Sequence, residues 1–424
     1  MGDGQLDSTS KPPTRPAIRN VFFWTAGFYS LFVFGCLLSQ LAWFRDRYDG
    51  RVDFHIPFFF NAGCFMAFLV YDKILVVAKF KGAILGVPVL QALISIVIFL
   101  MGELIEKSKP KYYSMLALVV FSGFANSIMQ TTLIKHTFGF TYIDITAYNS
   151  GTALVGIVSN IGAMANVYYL RGNANVGYQA MIYLAYQIGI VAVVEYIYMR
   201  YCTVCYDPEL MAESRTESLA IVEKCVEGTD KNSVGTVEET NSIRVSEKAV
   251  DLGVSLLSTL KVILPYFFNM ILLYTITLGI FPGFNIAMGI GWTDSDTFGI
   301  SIQIILITYN FGDFFGKLAY MYMPLKDGSM PHLLSLARFG FVGFIIFVFS
   351  GEGHPEIHDK AWLTLTYSFF LAVTNGYVTS ALFALSSERS PANHKSNSAF
   401  LMTLALLFGL TYGSLCAAFG SSDD

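Results

Sequence analysis

The 424-residue chain is 54% apolar and only 14% charged, with a mean hydropathy of +0.53, against about 25% charge in an ordinary soluble domain; a water-soluble fold could not be surfaced from it. Its 27 basic and 31 acidic residues leave a net charge of -4, which excludes the basic footprint of a nucleic-acid-binding protein. The six cysteines are scattered, three of them in apolar stretches, and do not form a disulfide framework.

Residues 1–19 are polar and carry Pro12, Pro13, Arg15 and Arg19; no small-residue cleavage site follows, so the first apolar run is expected to remain in the mature protein. A membrane helix needs about 20 mostly apolar residues. Windows meeting that need run over 20–43, 55–78, 84–104, 112–134, 145–169, 177–200, 256–281, 298–323, 332–350, 361–386 and 396–419. The expected fold is therefore an all-α integral membrane protein with about 11 transmembrane helices.

Within these windows the polar residues stand out. Tyr71-Asp72-Lys73 interrupts the second. The fourth holds the island Asn126-Ser127-Ile128-Met129-Gln130-Thr131-Thr132, and an amide such as Gln130 offers a donor and an acceptor side by side, suited to the edge of a heterocyclic base. Lys135 and His136, just beyond, mark the cytosolic interface. The fifth window contains Asn149, Asn160 and Asn166. Such groups at depth are costly unless they face protein or water, so these helices are expected to line a wet interior.

After the sixth window, Cys202-Thr-Val-Cys205 is the one close cysteine pair; with Cys225 downstream and no fourth clustered ligand, it reads as two thiols where a helix leaves the membrane. No metal and no cofactor is expected. Residues 201–252 turn polar, rich in Ser, Thr, Glu and Lys with almost no aromatic residue, and read as a flexible cytosolic loop. The loop divides an N-terminal six-helix bundle (20–200) from a C-terminal five-helix bundle (253–424), as in transporters built from two bundles related by an axis along the membrane normal.

The eighth window carries Tyr309-Asn310-Phe311-Gly312-Asp313-Phe314-Phe315-Gly316-Lys317. Asn310, Asp313 and Lys317 share one helix face, and Asp313 and Lys317 are four apart and able to pair. The pair partly neutralises itself in the membrane while leaving donors and acceptors for a polar ligand. Small residues at Gly151, Gly156, Gly376, Gly409 and Gly413 allow close helix approach. The His354-Pro-Glu-Ile-His358-Asp359 cluster falls in an outer loop and lacks the His-Glu-x-x-His order of a zinc protease, so an enzyme is not expected. Lone polar residues on single helices also fit a channel poorly.

Orientation follows from Lys and Arg in alternate loops. A cytosolic N-terminus places 19 basic residues on the cytosolic side and 8 outside, which selects that orientation and puts the C-terminus outside.

Four segments taken together resemble the equilibrative nucleoside transporter family: Thr275-Ile-Thr-Leu-Gly-Ile-Phe-Pro282, Tyr309 to Lys317 (similar to the family's Phe/Tyr-Asn-x-x-Asp-x-x-Gly-Arg), Leu336-Ala-Arg338, and Thr374-Asn-Gly-Tyr377 followed by Ser390-Pro391-Ala392. The resemblance implies a major-facilitator-like fold in 6+5 bundles and a central site for nucleosides, in some members nucleobases, that cycles by rocking of the halves. It implies that Gln130 hydrogen-bonds the base, Asp313 contacts sugar or base, and Asn310 supports it, with Lys317 standing where the family usually has Arg. Phe281 and Leu410 would be apolar walls, and Gly151 would keep the cavity open. Arg338, at the cytosolic end of the ninth span, would have a structural or gating role, beside Asn375 and Gly376 in the tenth. Where the family often has Pro-Trp-Asn, this chain has Val33-Phe34-Gly35, so Phe34 replaces an indole donor. Lys317 lacks the planar fork of a guanidinium, which makes nucleobase transport more plausible. After Pro391 the family's usual acidic residues are replaced by Asn393, His394 and Lys395. The partners expected are a small solute and the lipid bilayer of the plasma membrane, with the carrier acting as a monomer. Lys317 beside Asp313 should keep it charged, which favours facilitative uniport over proton coupling.

Overall fold

The computed structural model describes residues 16–48, 51–78, 80–138, 142–169, 176–205, 256–289, 298–325, 328–349 and 360–420. Before the predicted loop these form α1 (Pro16–Ser39), α2 (Leu41–Arg47), α3 (Val52–Ala78), α4 (Phe80–Leu104), α5 (Lys109–Thr137), α6 (Tyr142–Tyr169) and α7 (Val176–Cys205). After it come α8 (Leu256–Ile280), α9 (Gly283–Gly289), α10 (Phe298–Tyr322), α11 (Met330–Ala337), α12 (Phe339–Phe349), α13 (Ala361–Arg389) and α14 (Lys395–Gly420), with one 3₁₀ turn at Ala392–His394. Most of the predicted loop and the His354–Asp359 cluster lie outside the described residues. Cys202 and Cys205 close the last turn of α7, so the helix continues past the boundary expected at residue 200.

The eleven apolar windows fall on helix. Eight segments are long and apolar enough to cross a bilayer among the described residues. The other three windows are occupied by α6, α7 and α10, of 28, 30 and 25 residues; at 1.5 Å per residue each reaches about 37 Å or more, enough to cross a hydrocarbon layer of about 30 Å. The chain is a multi-pass membrane protein.

Two windows are broken where an unbroken helix is expected. The first ends at Ser39, turns at Gln40 and resumes as α2. The Ser39 carbonyl freed by that break accepts a hydrogen bond from Gln303 Nε2 of α10 at 2.6 Å, so the exposed backbone group is satisfied from the far half of the chain. The ninth breaks at Arg338, between α11 and α12, where the Arg338 and Phe341 amides bond three residues back instead of four. The tightened turn aims the Arg338 side chain inward, against α8 and α13.

Helix pairs approach closely where glycines face backbone. A Cβ on Gly27 would overlap the Tyr148 carbonyl, and one on Gly151 the Trp24 carbonyl, which fixes the α1–α6 crossing; Gly316 and Gly376 do the same for α10 and α13. The two sets of helices meet through α6 with α10 and α3 with α14. At one end of this seam Phe68 stacks on Phe400 with ring centroids 4.1 Å apart and Phe138 packs edge-on against Phe383. At the other, Phe54 meets Phe284. Between those contacts the packing opens.

Candidate functional site

The opening is a cavity in which water-sized molecules have about 190 Å³ of centre space. One water needs roughly 10–15 Å³ on that measure, so the space admits a solute of many heavy atoms. Side chains of α1, α3, α5 and α6 form one wall, and those of α8, α10, α13 and α14 the other.

The second wall is organised around a buried charge pair. Asp313 and Lys317, one helical turn apart on α10, are 6% and 5% exposed, with Lys317 Nζ 2.7 Å from Asp313 Oδ2. Two unpaired charges there would be expelled or neutralised; paired, they persist if their remaining hydrogen-bonding capacity is met. It is met on both sides. Asn375 Nδ2 of α13 donates to Asp313 Oδ1 at 2.8 Å, and Lys317 Nζ donates to Thr152 Oγ1 of α6 at 3.1 Å. Asn375 Oδ1 lies 2.8 Å from Thr277 Oγ1 of α8, which in turn accepts from Arg338 Nη2 at 2.7 Å. One network therefore runs from Arg338 through Thr277, Asn375 and Asp313 to Lys317, and crosses to the first half at Thr152. Asn310, one turn before Asp313, donates to the Leu306 carbonyl at 2.7 Å and nests against Gly156, whose Cβ would overlap it.

The first wall is built differently. Gln130 is buried and lines the cavity, and among the described residues none hydrogen-bonds its amide. Asn149 Nδ2 is buried without a hydrogen-bond partner among the described residues. Buried donors and acceptors are ordinarily satisfied, so the Gln130 amide, at the cavity surface, presents hydrogen-bonding capacity to whatever occupies the space. Rings flank it: Phe34 stacks on Phe60 with centroids 4.0 Å apart, and Phe281 stacks on Tyr309 at 3.7 Å. Flat apolar faces with amide edges between them suit a planar heteroaromatic solute.

Seven of the residues singled out for substrate contact line this cavity together: Phe34, Gln130, Phe281, Asn310, Asp313, Lys317 and Leu410. Gly151 does not. It faces the α1 backbone and serves helix packing, while its neighbour Thr152 reaches the cavity. Arg338 is not at the cytosolic end of its span. It lies eight residues beyond Met330, about 12 Å deeper at 1.5 Å per residue, fully buried beside the pair's network. Asn375 lines the cavity, whereas Gly376 presses on the Asp313 backbone. Of the fifth-span amides, Asn149 and Asn160 line the cavity, and Asn166 instead donates to the Gln179 carbonyl at 2.5 Å. Asn61, Thr152 and Thr277 are lining residues that hydropathy reasoning missed.

The family described as Nucleoside transporter matches this chain over residues 116–420. Equilibrative nucleotide transporter 1 of Arabidopsis thaliana is 25% identical over 305 residues, covering 72% of this chain and 62% of that protein. Equilibrative nucleoside transporter 4 of Danio rerio is 25% identical over 158 residues, covering 37% and 29%, respectively. The matched stretch thus spans less than two thirds of each of these relatives. Among solved structures, the proton:xylose symporter XylE superposes with a TM-score of 0.55 at 12% identity, over 96% of this chain and 88% of that one. The major facilitator superfamily transporter FucP superposes with a TM-score of 0.53 at 11% identity, over 94% and 96%. Likeness at that identity establishes the major-facilitator fold.

Proposed function

Because the chain belongs to the nucleoside transporter family, we propose that it is a facilitative carrier that moves nucleosides, and also nucleobases, across a membrane by alternating access. The observation that carries this reading is the pairing of unlike walls around one cavity: the wired Asp313–Lys317 pair on one side, and on the other the Gln130 amide, which no described residue hydrogen-bonds. Ribose hydroxyls are donors and acceptors that suit the charged pair, and a base edge matches the Gln130 amide between the rings of Phe34 and Phe281. The two halves, residues 20–200 and 253–424, rock about the α6–α10 and α3–α14 seams, and Lys317–Thr152 is a contact that such rocking would break and remake.

Asp313 is already engaged by an ammonium and an amide donor within the protein, which supports a uniporter over a proton-coupled carrier. The carrier works as a monomer in the plasma membrane, with residue 16 and the 201–252 loop on the cytosolic side and residue 420 outside.

The test is uptake of labelled adenosine, uridine, inosine and hypoxanthine into cells lacking their own carriers. Saturable uptake that equilibrates with the external concentration and ignores an imposed pH gradient is expected. Uptake driven above equilibrium by a proton gradient would replace uniport with coupling. No uptake of any of the four would remove the reading.

A further inference from the structure

The charge count around the cavity does not close. Asp313 and Lys317 cancel, at 2.7 Å. Arg338, fully buried, makes its hydrogen bonds to neutral acceptors alone: Nη1 to the Leu371 carbonyl at 2.8 Å and to Thr374 Oγ1 at 2.5 Å, and Nη2 to Thr277 Oγ1 at 2.7 Å, while Nε has no partner among the described residues. A guanidinium does not give up its proton in proteins. Asp313 is the sole carboxylate lining the cavity among the described residues, and Lys317 already occupies it.

We propose that Arg338, one hydroxyl behind the cavity wall, leaves the site with one uncompensated positive charge and makes the carrier select solutes by the sign of their charge, rejecting cations while tolerating anions. Arg338 is a positioning residue here, since Thr277 and Asn375 stand between it and the solute. Its field nevertheless reaches the cavity. Thr277 lines the space and lies 2.7 Å from the guanidinium, and no bulk water separates the two. A unit charge about 8 Å away, at an effective dielectric near 20, shifts the binding of a monovalent ion by more than about tenfold, in opposite directions for the two signs. Desolvation opposes both ions alike, so a comparison of ions built on one scaffold reads the field itself.

The inference rests on the proposed nucleoside transport, and its test separates the two. Inhibition of labelled uridine uptake is measured with 5′-amino-5′-deoxyuridine, an ammonium, and with uridine-5′-carboxylic acid, a carboxylate. The carboxylate should inhibit at a concentration about a hundredfold or more below that of the ammonium. In Arg338→Gln the ratio should fall toward one, and in Arg338→Lys, which keeps the charge, it should persist. Equal inhibition by the two ions in the unaltered protein, or a ratio unchanged in an Arg338→Gln protein that still carries uridine, overturns the proposal. If neither variant reaches the membrane, the ratio in the unaltered protein decides. Uridine uptake with no preference between the ions refutes the charge selection alone, whereas absence of uridine uptake refutes both readings.

Discussion

On the wall formed by α8, α10 and α13, with Arg338 behind it, charged and polar groups answer one another across four segments of chain; on the wall formed by α5 and α6, the amide of Gln130 has no hydrogen-bond partner among the described residues. The difference follows from what each group costs. A charge buried in a membrane protein must be held by counter-ions or dipoles of the protein itself, because the solute is absent for part of any cycle. A neutral amide can wait for the solute at a cost of about 1–3 kcal/mol. One wall is thus built to survive an empty cavity, and the other to lower its free energy when the cavity fills.

The comparison breaks first at the charge pair. Asp313→Ala leaves Lys317 buried without its counter-ion, and removing one member of such a pair costs about 3–5 kcal/mol. The purified variant should melt well below the parent and carry no uridine. The double variant Asp313→Leu with Lys317→Met removes both charges; its melting temperature should recover while transport stays lost. Recovery of both would make the pair a packing device.

Next comes Gly151. Its contacts are with backbone, so Gly151→Val overpacks the α1–α6 crossing and should lower stability by about 1–3 kcal/mol. Loss of transport with no change in melting temperature would return it to the cavity wall.

Gln130→Ala sharpens the contrast from the other side. No bond to a described residue is lost, so the melting temperature should hold, while loss of one solute hydrogen bond worth about 1–1.5 kcal/mol weakens uridine roughly tenfold. The smallest effect belongs to Thr152→Val, which removes the acceptor for Lys317 on the opposite half. About 1 kcal/mol is at stake there, and it should appear as a changed ratio of uptake to efflux rates with little change in stability.

How much of this was legible beforehand depends on the kind of signal. Helices were readable because apolar runs of bilayer length have few alternative uses. The breaks at Gln40 and Arg338 were not, since their causes lie far along the chain: Ser39 meets Gln303, and Arg338 meets Thr277 and Leu371. In the site, Asp313 and Lys317 announce themselves as charges in an apolar helix, and Gln130 as an amide. Thr152 and Thr277 give no such signal, because a threonine in a membrane helix ordinarily bonds to its own backbone. Thr152 does so here, to the Asn149 carbonyl, while it also accepts from Lys317, and the one Thr277 hydroxyl proton is shared between the Leu273 carbonyl and Asn375 Oδ1. Gly151 was placed one residue from the lining position, and one residue turns a helix through about 100°.

The most direct measurement is equilibrium binding of labelled uridine to the purified protein, compared with Gln130→Ala and with the Asp313→Leu, Lys317→Met double variant, all at matched folded fractions. Saturable binding by the parent, weakened about tenfold in the first variant and abolished in the second, is the predicted result. Equal affinity in all three would contradict it and place the solute outside this cavity.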